Sequence, residues 1–310
     1  MDPGTTLELT PVQRRTLERL LGAGGRAFPA DLADRLRSRI ERALDGLELP
    51  EPLFLGKAAL NDRDRCEGTF AARLAGEGPP FAHSRTTALG ALLHRAIEAD
   101  VGAREEHGPH ALCLRAAERL AEDDPGFAAY WRELDRLEQD ELLAEAVRRL
   151  ALFRGTFPPL RELRRELAPV CELPVRVELA GGALVLAGRI DLVLGRPEPA
   201  RATRVAIDLK SGGAYPEYPE DMRFYALLLT LRFGVPPVRV ASLFLESGEW
   251  QAEDVADGVL EHAADRVVEA ARTAAALSAG APPELRPGAY CGWCPRAPGC
   301  PALEHVDTSA

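Results

Sequence analysis

Apolar residues recur at helical spacing through much of the first half of the chain. Pro11–Gly22 and Ala30–Leu47 carry Leu, Ile and Ala three and four positions apart with Arg and Glu between, which predicts two amphipathic helices. Pro50 and Pro52 interrupt the pattern and mark a joint. Ala58–Leu74 and Thr87–Val101 predict two more helices. Gly102–Ala168 reads as mostly helical, with breaks near Gly108–Pro109 and Asp124–Pro125. Its dense alternation of Arg and Glu is the pattern of solvated helical faces rather than of a dedicated DNA-binding stripe.

After Pro169 the period shortens. Leu173–Ala180 and Ala183–Leu194 flank Gly181-Gly182, a hairpin signal. Arg204–Lys210 predicts a third strand, Val238–Leu245 a fourth, and Trp250–Glu253 a short fifth. Glu220–Phe233 is a helix between strands, and Val255–Leu277 is a long closing helix. Pro282–Pro301 is rich in Pro, Gly and Cys and lacks apolar periodicity, so something other than a core must hold it. There is no internal repeat. The order predicts an α/β fold: a small mixed sheet with a preceding or inserted helical part.

Composition adds bounds. The 310 residues are 46% hydrophobic and 28% charged, which suits a globular chain with a sizeable core. No run approaches the roughly 18 apolar residues of a membrane span. Met1–Thr10 has neither a basic nor an apolar leader region. The expectation is a cytoplasmic protein without a membrane part. A net charge of −10 argues against a broadly basic nucleic-acid binder and leaves only locally focused charge. Among the 38 Lys plus Arg, the only lysines are Lys57 and Lys210. Where Arg has replaced Lys almost everywhere, a surviving Lys marks a position that Arg does not serve. The neighbours of Lys210 support that reading, and those of Lys57 are as consistent with chance.

In the strand Arg204–Lys210, Asp208 and Lys210 share one face. In the preceding strand Asp191 lies opposite the face of Ile190, Leu192 and Leu194. Pairing of the two strands would bring Asp191 and Asp208 to about 5 Å, the reach of one metal ion. Such a group is costly to bury without a purpose. Its oxygen ligands suit Mg2+ or Mn2+. A lysine beside such an ion can orient a water or neutralise developing charge on phosphorus. By spacing alone, an Asp–Lys pair on the surface of an edge strand is an equal alternative.

The run Gly188-Arg189-Ile190-Asp191, followed by Ile207-Asp208-Leu209-Lys210-Ser211-Gly212, resembles the PD-(D/E)XK nuclease superfamily, and within it the RecB-like branch. The resemblance implies a restriction-endonuclease-like core, a mixed sheet flanked by helices. It implies Asp191 and Asp208 as metal-binding acids, the Leu209 carbonyl as a backbone ligand and Lys210 as the catalytic lysine. The branch carries Gln four residues before Tyr; here Tyr225 is kept and Asp221 stands in place of Gln. Tyr225 and Arg223 become candidate contacts to the DNA backbone. A metal-binding His is implied at His94, in Leu89–Glu98, with Glu98 on the same helix face as a weaker candidate that an arginine could claim.

Of six cysteines, Cys291, Cys294 and Cys300 form C-x2-C-x5-C. In a cytosolic chain such thiolates suit zinc or an iron–sulfur cluster rather than disulfides. Cys66, ahead of the His94 helix, is similar to the isolated upstream cysteine of iron–sulfur nucleases in the same branch, the AddB nuclease domain and the CRISPR adaptation nucleases. This implies a [4Fe–4S] cluster on Cys66, Cys291, Cys294 and Cys300. The alternative is zinc on Cys291, Cys294, Cys300 and His305. Cys113 and Cys171 read as ordinary thiols.

The resemblance spans Leu53–Leu303 and divides the chain into a helical segment 1–50, a nuclease domain 51–305 and a tail 306–310. It implies metal-dependent hydrolysis of DNA, as an exonuclease of repair, recombination or defence, on strands that are single or have free ends. No G-x-x-x-x-G-K-[ST] loop is present, so any helicase is a separate partner. Two rivals stay open: a non-catalytic DNA-binding or assembly module of the same fold, and an enzyme acting on RNA or structured DNA.

Overall fold

The computed structural model describes residues 8–304 apart from 23, 51 and 214. His305 and the tail 306–310 therefore lie outside the described residues. Helix α1 (Pro11–Leu21) starts at a capping box between Thr10 and Gln13, with Pro11 in the first turn. After strand β1 (Arg26–Ala27), α2 (Leu32–Leu44) buries Leu32, Leu36, Ile40 and Leu44, one residue per turn. The Pro-rich joint then holds a short strand, β2 (Leu53–Leu55), which periodicity did not reveal. The single helix expected over Ala58–Leu74 is two helices, α3 (Lys57–Arg65) and α4 (Glu67–Leu74). They part at Cys66, whose backbone is extended at φ −163° and ψ 124°.

The helices α5 (Arg85–Gly102), α6 (Pro109–Asp123), α7 (Pro125–Glu133) and α8 (Arg136–Thr156) follow, then the single turn α9 (Arg164–Leu167). Pro109 and Pro125 each open a helix, where a missing N–H costs nothing. Next come β3 (Val170–Leu179), β4 (Leu184–Leu194), β5 (Arg201–Ala202), β6 (Val205–Lys210), α10 (Tyr218–Phe233), β7 (Arg239–Phe244), β8 (Trp250–Asp254), α11 (Asp257–Ser278) and α12 (Pro301–Glu304). No helix among the described residues is long and apolar enough to cross a membrane.

The main sheet runs β2-β4-β6-β7-β8, with β3 on the free edge of β4. It is mixed: β2 is parallel to β4 and β6 to β7, and the other pairs are antiparallel. Helix α10 is buried almost all round, packed between the sheet and α11 and α2. Strand β6 is likewise buried on both faces, and each of Val205, Ile207 and Leu209 contributes about 1.5–3 kcal/mol of burial. The architecture is the mixed sheet flanked by helices that the motifs implied. Helix α2 buries its apolar stripe in the same core as the sheet.

One detail of topology builds the site. Strand β3 occupies one edge of β4 along its whole length, so β2 and β6 share the other edge. Strand β2 pairs with Leu184–Leu186 and runs parallel to β4, while β6 pairs with Leu192–Leu194 and runs against it. Their C-terminal ends therefore point at one another across the middle of β4, and whatever follows β2 meets whatever ends β6.

Candidate active site

Three carboxylates lie in a row across the sheet. The β3–β4 ladder pairs Cys171 with Leu192 and Leu173 with Ile190, which sets Glu172 opposite Asp191. The β4–β6 ladder ends at Leu192–Ile207, so Asp191 and Asp208 face each other one step beyond. Glu172 has φ +50°, a left-handed conformation unusual for a non-glycine residue in a strand. Strain of this kind persists only where the surroundings impose it. Asp191 Oδ2 accepts a 2.6 Å hydrogen bond from the Leu209 amide, which ties the two strands at this level.

His94, from the middle of α5, closes the group. Its Nδ1 lies 3.2 Å from Glu172 Oε1 and 3.6 Å from Asp191 Oδ1, and its Nε2 lies 2.9 Å from the Leu209 carbonyl. Both ring nitrogens thus face acceptors, an arrangement that suits the doubly protonated ring. Burial disfavours that charge, but Asp191 and Glu172 outweigh it and push His94 up to about 9. Asp191 is pushed up to about 6 by burial and by Asp208, against the pull of His94. Among the described residues, His94, Glu172 and Asp191 are the one set of three or more whose ligand atoms all lie within 4.8 Å of one another.

Asp208, 1% exposed, sits between the only two lysines of the chain. Lys57 Nζ donates to Oδ1 at 3.2 Å. Lys210 Nζ is 2.6 Å from Oδ2, a close ion pair. Burial would raise the Asp208 carboxyl, but Lys57 and Lys210 hold it below the usual carboxylate range. Asp221, where the branch has Gln, is also buried; it lies 3.6 Å from Lys210 and accepts a 2.8 Å bond from Asn61 Nδ2. Lys57 opens α3 directly after β2, so the tip-to-tip arrangement of β2 and β6 delivers it to Asp208.

The sequence model of the PD-(D/E)XK nuclease superfamily matches residues 56–301. The chain belongs to that superfamily. No curated protein matches it. Among solved structures it is similar to a candidate exonuclease from Eubacterium rectale, at 11% identity and a TM-score of 0.48, over 92% of this chain and 95% of that one. It is also similar to SSO0001, at 14% identity and a TM-score of 0.32, over 68% of this chain and 95% of that one. At such scores neither likeness bears on function.

In this PD-(D/E)XK chain, then, His94, Asp191, Asp208, Leu209 and Lys210 come together, and Glu172 and Lys57 join them unannounced. The candidate DNA contacts do not join them. Tyr225 is buried, its hydroxyl donates to the Arg189 carbonyl at 2.7 Å, and its ring fills the space over Gly188, where a Cβ would lie 2.9 Å from Tyr225 Cε1. Arg223 is bound by both oxygens of Glu253 and by Glu220. Both side chains are engaged within the protein. Glu98 pairs with Arg95 rather than with the acids.

Cys66, Cys291, Cys294 and Cys300 line one cavity of about 620 Å³, formed where α3 meets α4 and the C-terminal segment folds back. The Arg286 amide points at Cys66 Sγ at 3.5 Å, and the Gly288 amide at Cys291 Sγ at 3.4 Å. A tetrahedral zinc with bonds of about 2.3 Å needs sulfurs roughly 3.8 Å apart. Among the described residues no three of these sulfurs come within 4.8 Å of one another. The segment is docked by polar contacts: Glu284 with Glu67, Tyr290 with the Arg65 carbonyl, and Arg296 with both oxygens of Glu77. Nothing within it is buried. Cys113 and Cys171 lie apart, their thiols pushed up by burial to about 11 and about 12.

Proposed function

We propose that this nuclease hydrolyses DNA phosphodiester bonds with Mg2+ or Mn2+ held by His94, Glu172, Asp191 and Asp208. The convergence of the first three ligand atoms beside Asp208 is the observation that carries the reading. The donor set suits a hard divalent cation: carboxylate oxygens and one imidazole, with the buried Asp208 carboxylate beside them. The Leu209 carbonyl is a further candidate ligand, at present bonded to His94. A bound cation would lower the pKa of a water and offset charge on the phosphorus. Lys210, between Asp208 and Asp221, would orient that water and steady the added charge through its ammonium. Glu172 holds His94 in place through Nδ1.

We take residues 51–305 as the nuclease domain, of the RecB-like branch, and 1–50 as a segment whose helices α1 and α2 pack on it. The reaction is expected to be exonucleolytic, on DNA with single strands or free ends, in repair, recombination or defence. Duplex opening would fall to a separate helicase. Purified protein should degrade end-labelled DNA with Mg2+ or Mn2+ and stop with EDTA. Cleavage that persists in EDTA overturns the reading.

The four cysteines are proposed to hold a [4Fe–4S] cluster that fastens the C-terminal segment to α3 and α4. The spread of the sulfurs favours it over a compact zinc site. Protein purified without air should be brown with iron near four atoms per chain. A colourless protein with one zinc replaces this assignment.

A further inference from the structure

A second cleft, of about 850 Å³, opens from the acidic group and runs between α3 and α10 to the cysteine segment. Its inner end is Lys57 and Asp221, so it is continuous with the site already described. Its rim carries two of the most exposed aromatic side chains of the protein: Trp293, 71% exposed, on the turn Ala289–Trp293, and Tyr215, 57% exposed, ahead of α10. Tyr218 stands edge-on to Tyr215, with ring centroids 5.4 Å apart, and beneath it Lys210 Nζ lies 3.8 Å from the Tyr218 ring centroid. A line of aromatic faces thus leads from the cleft mouth to the catalytic lysine. The turn that carries Trp293 is anchored, since the one hydroxyl proton of Tyr290 faces the Arg65 and Arg286 carbonyls.

Exposed rings cost solvation, and Trp293 and Tyr215 each leave more than half of their surface to water. The cations of the cleft are already matched. Arg73 pairs with Asp62, Arg65 with Glu217 and Asp62, and only Lys57 points at the acidic group itself. Three basic and three acidic side chains leave the lining neutral, in keeping with a chain of net charge −10. Phosphate attraction is therefore not what this cleft offers. It offers stacking, which needs bases that are unpaired.

We propose that the cleft is the path of an unpaired nucleic-acid strand, whose bases stack on Trp293 and Tyr215 as the backbone reaches Lys57. The proposal rests on the nuclease reading and, for the single strand expected there, names the side chains that would hold its bases. It also sets the mode of binding: aromatic, with a shallow dependence on salt. A basic groove contacting several phosphates would lose affinity steeply with salt; here the slope of log Kd against log salt should be about one.

The test is a titration of the intact protein into a fluorescein-labelled twelve-residue oligo-dT in EDTA, which blocks cleavage, read by fluorescence anisotropy. Saturable binding is expected, with Kd raised roughly five- to a hundredfold in Trp293→Leu and in Tyr215→Leu, the range for losing one stacked base. Trp293→Phe should restore most of the affinity. Tyr215→Leu guards against damage to the neighbouring cysteine segment. A blunt 20-bp duplex should bind several-fold more weakly. The proposal is overturned if both Leu variants bind within twofold of wild type, if the duplex binds as well as the single strand, or if the salt slope reaches four. Hydrolysis of bis(p-nitrophenyl) phosphate by the wild-type protein with Mn2+ examines the metal site alone. Its failure would sink the nuclease chemistry while leaving the binding result to stand by itself.

Discussion

Loading the acidic group with metal should cost a proton. In the metal-free protein His94 is pushed to about 9, because burial is outweighed by Asp191 and Glu172. The ring must lose a proton before a nitrogen can ligate a cation. At pH 7 the group lies about two pH units below its midpoint, so only about 1% is deprotonated. At about 1.36 kcal/mol per unit this withholds about 2.7 kcal/mol of binding, about a hundredfold in affinity. Affinity for Mg2+ should rise close to tenfold per pH unit from 7 and level off above 9. Calorimetric titration at pH 7.5 in buffers of different ionisation enthalpy should count about one proton released per ion. The same shift favours the folded metal-free protein: this stability is fully present below pH 6.5 and is lost as pH rises through about 9. A proton count near zero with an affinity flat between pH 7 and 9 would refute His94 as a ligand.

Lys210→Arg should lose a hundredfold or more in cleavage while DNA binding survives, because a planar guanidinium does not fit between Asp208 and Asp221; single-turnover assays check this. Glu172→Gln removes one of the two carboxylates that face His94 Nδ1, so it should shift the His94 midpoint downward by NMR titration and raise the Mg2+ requirement several-fold. Cys66→Ala should strip the brown colour and the iron, and lower the melting temperature by up to about ten degrees, since a link closing so long a loop contributes at most about 4–5 kcal/mol. Unchanged colour and melting in that variant would remove Cys66 from the cluster.

Much of the site was legible, and the misses have physical causes. Alternation placed Asp208 and Lys210 on one face, and strand pairing placed Asp191 opposite Asp208. Glu172 was within reach as well. A hairpin turning at Gly181-Gly182 sets Leu179 opposite Leu184, and counting outward brings Glu172 to Asp191. It was lost only because the strand was begun at Leu173. Lys57 had no such route. Strand β2 is three residues long in a Pro-rich joint, and its meeting with β6 is a property of the whole sheet. The break at Cys66 lacks a proline, so its local pattern reads as unbroken helix. The motif places Tyr225 and Arg223 on α10 but says nothing of their partners, which are the Arg189 carbonyl for Tyr225 and Glu253 and Glu220 for Arg223.

Helix α3 is a short rod with a different task at each end. Lys57 at its start reaches Asp208, Asn61 in the middle holds Asp221, and Cys66 at its end turns toward the cysteine cavity. Nine residues at about 1.5 Å each make it about 13 Å long, too short to bend appreciably. A displacement at the sulfur end should therefore be passed along the helix to the backbone of Lys57. The cysteines and the acids are joined by one short rigid element, so a change at the first should be measurable at the second.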